Sequence, residues 1–242
     1  MVLVLFNNLS EKDKSGAIEN LICESTPRQD FFLLVILSVL MATFGLLINN
    51  VAIIIGSMLI APMLYPIISL SLGIIMADSR LISRSFYTVI KSSAFGIAVS
   101  ALVTLFFNSD FQMNAEIASR TETSMVYFCV AFIAGLAASF ALIKPHLSET
   151  LPGIAISVAI IPPLAVTGIG IARFDWNIIS NSFLLFLTNI AGIIFASMFV
   201  FSMMHLYVAR NAAKKAVEKE ELAVKKEEAK AEKEQAQDSF KK

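Results

Sequence analysis

The chain has 242 residues, of which 57% are hydrophobic and 16% charged, with no net formal charge and a mean hydropathy of +0.74. A water-soluble domain of this size is far less apolar, so the bilayer is the expected solvent and a nucleic-acid partner is excluded. Cys23 and Cys129 lie far apart, without metal or redox spacing, and are interpreted as free thiols.

Six apolar segments are long enough to cross a membrane, which takes roughly 20 residues. In chain order they are about 31–48, 51–76, 86–107, 125–143, 151–172 and 183–208. The opening MVLVLF lacks the features of a signal peptide, so the first span is expected to act as the insertion signal. Thr26 is predicted to be the N-cap of that first helix, and the Asn49–Asn50 pair to form a tight helical hairpin.

Lysines and arginines concentrate on one side of the predicted spans, which places both termini in the cytoplasm and the protein in the cell membrane. Three parts are expected: an N-terminal interfacial segment (1–29), a transmembrane domain (30–209) and a charged helical tail (210–242). Ala17, Ile18, Leu21 and Ile22 could form the interfacial face. The tail is expected to continue the sixth span as a solvated helix, with a coiled coil as the alternative.

The chain also repeats itself. SMLIAPML (Ser57–Leu64) matches SVAIIPPL (Ser157–Leu164) at an offset of 100 residues. Each half, about 30–108 and 124–209, contains three spans, so the second half must be inverted in the membrane. The predicted fold is therefore an all-α integral membrane protein of two inverted three-span repeats, in which prolines break the second and fifth spans.

Prolines inside a helix free backbone groups that hydrocarbon cannot satisfy. If both spans are broken, their half-helices offer N–H groups, positive dipole ends and free carbonyls near the membrane midplane, where an ion or solute could bind. Simple kinks and re-entrant hairpins remain as alternatives. The candidate binding positions are Gly56, Ser57, Ala61, Pro62, Pro66, Lys91, Ser157, Pro162, Pro163, Thr167, Gly168 and Asn189.

Several of these candidates also have a structural interpretation. The glycines and Asn189 could serve helix packing, and Lys91 could extend to the cytoplasmic face instead of adding charge to a vestibule. In the fourth span, small residues recur four positions apart at Ala131 with Gly135 and at Ala134 with Ala138. That spacing predicts a packing face or the contact surface of a homo-oligomer.

No Asp or Glu lies deep in any predicted span, which favours anions or neutral solutes over protons and cations. His146 and His205 have no carboxylate at ligand spacing, and motifs for enzymatic chemistry are missing, so neither an enzyme nor a cofactor or metal is expected. The sequence thus predicts a transporter or channel for a small anion or polar solute. A scaffold or sensor acting through the charged tail, and a cation channel lined by carbonyls, are the alternatives.

Two stretches carry a family resemblance: LLINNVAIIIGSMLIAPMLYPIISLSLGI (Leu46–Ile74) and GIAISVAIIPPLAVTGIGIA (Gly153–Ala172). They resemble the family called domain of unknown function 389, prokaryotic hydrophobic proteins whose pattern includes I-G-A-M-L-I-A-P and A-L-V-P-P-L-A. Ser57 stands where the family usually has alanine. The resemblance implies an integral membrane protein and little biochemistry. Its motif positions here are Gly56, Met58, Pro62, Pro66, Pro162, Pro163, Leu164 and Gly168.

Overall fold

A computed structural model describes residues 11–107, 113–144, 160–206 and 210–240, and within these ranges all regular structure is helical. The helices are α1 (Glu11–Glu24), α2 (Gln29–Leu47), α3 (Val51–Ile60), α4 (Leu64–Met76), α5 (Ser79–Phe107), α6 (Ala115–Ala118), α7 (Met125–Ile143), α8 (Ile161–Arg173), α9 (Trp176–Met203) and α10 (Arg210–Phe240). The prediction of an all-helical protein is confirmed for these ranges.

Four helices, α2, α5, α7 and α9, are long and apolar enough to cross a membrane, and the bent pair of α3 and α4 adds a fifth candidate span. Their outer faces carry many exposed large apolar side chains, which suit lipid and not water. The chain is therefore a multi-pass helical membrane protein. The first nine residues of the predicted fifth span, 151–159, lie outside the described residues, and so do Ser157 and His146.

The second apolar segment is interrupted where its sequence predicts a break. The chain bends by 50° between α3 and α4. Ala61–Met63 lie outside both helices, and Pro66 falls in the first turn of α4, where a missing N–H costs little. The segment α8 begins at Ile161, so its two prolines follow directly in the first turn.

Three turns between neighbouring helices, α2–α3, α4–α5 and α8–α9, share one geometry. In each, a glycine packs on the next helix, a left-handed residue follows four positions later, and the next residue, Asn or Asp, accepts hydrogen bonds from the N–H groups of the new helix. The sets are Gly45, Asn49 and Asn50; Gly73, Ala77 and Asp78; Gly170, Phe174 and Asp175. A Cβ on any of these glycines would lie 3.0 Å from a backbone nitrogen of the next helix. The predicted Asn49–Asn50 hairpin is confirmed, and two more hairpins share its design.

Contacts identify two ends of the bundle, which we call the α1 end and the α6 end. Ala17 and Ile18 of α1 line a small apolar space with Leu72 of α4, Ile143 of α7 and Phe201 of α9. At the other end, the Asn114 side chain beside α6 donates to the Leu46 carbonyl at 2.6 Å, and Thr123 donates to the Asn181 carbonyl near the beginning of α9 at 3.4 Å. The α4–α5 turn therefore lies at the α1 end and the α8–α9 turn at the α6 end.

Three predictions about helix ends and faces are wrong. Thr26 does not cap α2, because its hydroxyl donates back to the Ile22 carbonyl at 2.7 Å and Arg28 takes the N-cap position. The tail does not continue the last long helix, because α9 ends at Met203 and His205 has a left-handed backbone. The apolar face of α1 is buried against the bundle, since packing on α4, α7 and α10 removes it from the membrane interface.

The small-residue face of α7 packs within the chain. A Cβ on Gly135 would lie 2.9 Å from the Ile193 Cα of α9, and a Cβ on Gly192 would lie 2.8 Å from the Ala131 Cβ. The Ser139 hydroxyl donates to the Ser197 hydroxyl at 2.7 Å in the same contact. Of the two interpretations of this face, the structure supports helix packing.

Candidate functional site

Two short helices of equal length, α4 and α8, form the centre of the candidate site. Each has 13 residues, and their first residues, Leu64 and Ile161, are 97 positions apart. Both pack against the same two long helices, α5 and α9. The 97-residue offset between the two helix starts differs from the predicted offset of 100, because the predicted offset aligns Pro62 with Pro162 and not the first residues of the helices.

The two short helices run in opposite directions along α5. The Ser85 hydroxyl of α5 donates to the Ser69 hydroxyl of α4 at 3.0 Å, and the turn at Ala77 makes these helices antiparallel. A Cβ on Gly96 of α5 would lie 2.8 Å from a Leu164 methyl of α8. Further along both helices, the Ser100 hydroxyl of α5 donates to the Ala165 carbonyl of α8 at 2.6 Å, so α5 and α8 are parallel.

These contacts give the depth at which α4 and α8 begin. At about 1.5 Å of rise per residue, the first residue of α4 lies level with Ile90 of α5 and the first residue of α8 level with Ser93. Their N-termini are therefore within about 5–10 Å of each other in depth, and they lie in the half of the apolar part of α5 that is nearer the α1 end. From this level α4 runs to the α1 end and α8 to the α6 end.

At the break after α3, other groups of the protein form some of the hydrogen bonds that the interrupted backbone has lost. The Ser57 carbonyl has lost its helical donor, and it accepts a hydrogen bond of 2.7 Å from the Ser38 hydroxyl of α2. The Ser57 hydroxyl donates to the Ile54 carbonyl at 2.6 Å, so it is engaged by its own helix. Tyr65 N–H donates to the Pro62 carbonyl at 3.3 Å and turns the chain into α4. The last three carbonyls of α3, from Met58 to Ile60, likewise have no donor within their own helix.

The beginning of α8 keeps a positive dipole end but has few donors. A helix start normally presents four N–H groups without helical partners, and Pro162 and Pro163 remove two of them. One turn later, the Thr167 hydroxyl donates to the Pro163 carbonyl and lies 2.9 Å from the Ser182 hydroxyl of α9. The predicted cluster of N–H donors at the beginning of α8 is therefore smaller than the four groups that a helix start without prolines would present.

Ser93 of α5 is a site residue that the sequence reasoning missed. Its side chain is 7% exposed, and its hydroxyl has no hydrogen-bond partner among the described residues. Because Ser93 precedes Gly96 by three residues and Ser100 by seven, it lies on the face of α5 that packs on α8. A buried, unpartnered hydroxyl thus lies at the depth where both short helices begin. The serines at positions 85, 92, 93 and 100 of one apolar helix were the available signal.

The remaining candidates separate into packing and peripheral positions. A Cβ on Gly168 would lie 2.6 Å from the Ile97 carbonyl oxygen, and one on Gly56 would lie 2.8 Å from the Met41 methyl, so both glycines allow close helix contact. Asn189 is 5% exposed in α9, where it has a polar partner. Lys91 lies outside the central site, because its ammonium is 4.7 Å from the Phe32 ring centroid at the beginning of α2. Ala61 and Pro62 are partly exposed at the bend.

At the α1 end, the tail is fixed by an ion pair. Arg28 donates to the Glu220 carboxylate of α10 at 2.6 Å, and the Glu220 side chain is 11% exposed. Burial lowers the pKa of Arg28, but the hydrogen bond and charge of Glu220 outweigh this and raise it. Burial raises the pKa of the nearby Cys23 thiol, and the Glu220 charge adds to that increase.

Comparison with known proteins gives one family. The sequence model of domain of unknown function 389 matches residues 58–195, which include α4, α5, α7, α8 and most of α9. An uncharacterised protein of Methanocaldococcus jannaschii is 34% identical over 170 residues, which is 70% of this chain. That match covers 52% of the relative, so the chain spans about half the length of that protein. No solved structure matches the chain.

Proposed function

Because this chain belongs to the family called domain of unknown function 389, whose name assigns no activity, we propose a function from its helix ends. We propose a membrane transporter or channel for a small anion or polar solute, and not an enzyme. The observation that carries this proposal is the pair of short helices, α4 and α8, which begin at one depth and run to opposite ends of the bundle. Interrupted helices with ends at the midplane are the usual binding elements of secondary transporters.

The proposal includes two inverted repeats. Their support is the shared turn after α4 and after α8, with the same 97-residue spacing and opposite locations in the bundle. In this arrangement α4–α5 and α8–α9 are equivalent hairpins, inserted in opposite orientations. Positive residues at the α1 end favour a cytoplasmic location for both termini in the cell membrane. A homo-oligomer remains part of the proposal.

The polar groups near the helix starts favour an anion or a neutral polar solute. The positive dipole ends of α4 and α8 and the Ser93 hydroxyl attract or donate to electronegative atoms, and no described span residue at this depth is a carboxylate. The carbonyls from Met58 to Ile60 would favour a cation instead. The Ser57 carbonyl already accepts a hydrogen bond from the Ser38 hydroxyl, so fewer carbonyls at the end of α3 could bind a cation. The cation channel is therefore the weaker alternative.

The direct test is solute flux into proteoliposomes containing the purified full chain. Ser93→Ala removes the unpartnered hydroxyl at the proposed site. Ser139→Ala is the matched control, since it removes a buried hydroxyl whose partner is Ser197 in the α7–α9 contact. We expect wild type and Ser139→Ala to conduct at least one of a panel of small anions and neutral polar solutes, and Ser93→Ala to conduct it about tenfold more slowly.

Equal flux in wild-type and empty liposomes across the whole panel would exclude the transport proposal. Equal flux in wild type and Ser93→Ala would leave transport in place but remove Ser93 from the pathway. Monovalent cations are measured alongside this panel, and flux of these cations alone would favour the carbonyl-lined channel. Each result distinguishes one of these interpretations from the others.

A second candidate function, a scaffold or sensor acting through the tail, is favoured by the docking of α10. Ala213, Ala216 and Val217 are buried in the contact with α1, and Glu220 pairs with Arg28. A chain truncated after residue 209 separates the two functions. If the protein is a transporter, flux should persist in the truncated protein. If it acts through its tail, neither the full chain nor the truncated chain should show flux, and truncation should abolish the protein's activity in cells.

A further inference from the structure

A row of basic and polar side chains follows one face of α5 from the α1 end. Arg80, Arg84, Tyr87 and Lys91 are spaced by four, three and four residues, which places them along one side of the helix. The Lys91 ammonium lies over the rings of Phe32 and Tyr87, at 4.7 and 5.8 Å. Since Phe32 is in the first turn of α2, this face crosses the boundary between lipid and water.

The row borders a shallow cleft of about 450 Å³ that is lined by Ser79, Arg80, Ser83, Arg84, Tyr87 and Glu221. The lining thus includes two arginines and three residues with hydroxyl groups against a single carboxylate. Guanidinium and hydroxyl donors together match the oxygen atoms of a phosphate group.

The charge of Arg84 is balanced only at a distance, by the carboxylates of Glu220 and Glu221. Arg84 donates to the Thr26 hydroxyl, and among the described residues it has no salt bridge and its Nη1 has no hydrogen-bond partner. The carboxylate of Glu218 is 3.6 Å from Arg80, but these side chains are 61% and 69% exposed, so the pair is weak. Arg80 is thus available to an additional anion, and Arg84 adds positive charge beside it from a partly buried position.

The surface beside the cleft suits a lipid and not a free ion. Phe86, Tyr87 and Ile90 are 55%, 61% and 52% exposed on the next turns of α5. Aromatic residues at this depth lie at the headgroup level, and the apolar side chains beyond them can contact acyl chains. A bound molecule with a phosphate at the arginines would therefore extend its hydrocarbon along α5.

We propose that this cleft is a binding site for the phosphate headgroup of an anionic phospholipid. Arg80 and Arg84 contact the phosphate oxygens, Ser79, Ser83 and Tyr87 supply hydroxyls, and Lys91 lies deeper beside the acyl chains. A neighbouring cleft is lined by Arg80, Arg210 and Lys214 together with Asp78 and Glu218, so its basic groups exceed its acidic groups by one. This inference does not depend on the transport proposal.

The test is a binding titration of the purified full chain in non-ionic detergent. The probes are short-chain phosphatidylglycerol, phosphatidylcholine of the same chain length, and inorganic phosphate. We expect saturable binding of phosphatidylglycerol, with an affinity about fivefold lower in Arg80→Gln and about 25-fold lower in Arg80→Gln/Arg84→Gln. Arg120→Gln is the control for loss of one positive charge, because Arg120 lies at the α6 end, and it should bind as wild type does.

Three results would overturn the proposal: equal affinity for the two lipids, binding of inorganic phosphate as tight as that of phosphatidylglycerol, or equal loss in Arg120→Gln and Arg80→Gln. If the double variant does not fold, Ser83→Leu and Arg80→Gln retain the test, since both positions are exposed. Unchanged binding in these two variants would also overturn it.

Discussion

The Ser38 hydroxyl of α2 donates a 2.7 Å hydrogen bond to the Ser57 carbonyl of α3. A neighbouring helix thus satisfies a backbone group that the break at Ala61–Met63 has released. In hydrocarbon, an unsatisfied carbonyl costs several kcal/mol, so this contact helps to keep the interrupted helix stable at its depth.

Ser38→Ala is therefore expected to lower the free energy of unfolding by about 1–3 kcal/mol, because it leaves the buried Ser57 carbonyl without this donor. Unfolding in mixed detergent micelles measures the loss. Ser180→Ala is the control, since its exposed hydroxyl donates only to carbonyls of its own helix. A similar loss in both variants would contradict a specific role for Ser38.

Gly170→Ala should destabilise the α8–α9 hairpin by about 1–3 kcal/mol, because the added Cβ would lie 3.0 Å from the Ile179 backbone nitrogen. Gly16→Ala in α1 makes the same chemical change where nothing lies within 4 Å, and it should stabilise the protein by about 0.5–1 kcal/mol. Thermal unfolding of the two variants should therefore shift in opposite directions. Shifts of the same sign would contradict the close approach.

Arg28 and Glu220 are expected to couple by about 1 kcal/mol in a double-mutant cycle, since the arginine side chain is 35% exposed and solvent weakens the pair. The cycle uses Arg28→Gln, Glu220→Gln and the double variant, with stability to unfolding as the readout. Additive effects would mean that the ion pair does not hold α10 at the beginning of α2.

Cys23 should react slowly with maleimide near neutral pH and faster as pH rises, because its raised pKa reduces the thiolate fraction at any given pH. A Cys129→Ala background leaves Cys23 as the single thiol. Removing the negative charge with Glu220→Gln should lower the pKa of Cys23 and increase its rate at fixed pH. A lower rate in Glu220→Gln would contradict this electrostatic account.

Pro163→Ala tests whether the proposed solute is anionic. The substitution adds one N–H donor in the first turn of α8, and a hydrogen bond to a charged group would lower the half-saturating anion concentration about tenfold. Flux of a neutral solute should change much less. Equal effects on both classes of solute would indicate that the first turn of α8 does not contact an anion.

The broken second span was predictable because Pro62 lies in an apolar segment too long for one straight crossing. The equivalent position of α8 was found only in part, since aligned prolines suggest an offset of 100 and the helices begin 97 residues apart. The shared turns explain this difference. A glycine, a left-handed residue and a capping Asn or Asp define the register, and these residues are too varied to stand out in sequence.

Ser93 and Thr26 show why polar roles were harder to predict. A hydroxyl in a membrane helix usually bonds to a carbonyl of its own helix, as that of Ser57 does, and which one remains unpaired depends on contacts with other helices. The Thr26 hydroxyl, just beyond the end of α1, likewise donates back to Ile22 of α1 instead of capping α2. The tail helix α10 is joined to the beginning of α2 by Arg28, whose partner Glu220 is 192 residues away in sequence. Local patterns do not contain such pairings.

The turns at Gly73 and Gly170 leave no space between the helices that they join, so α4 with α5, and α8 with α9, each form a rigid helical hairpin. Bending within either hairpin would force backbone atoms together. Among the connections that the structure describes, the bend at Ala61–Met63 joins two helices without such a glycine contact, so an engineered crosslink between α3 and α4 would test whether the hairpin of α4 and α5 moves against its neighbours.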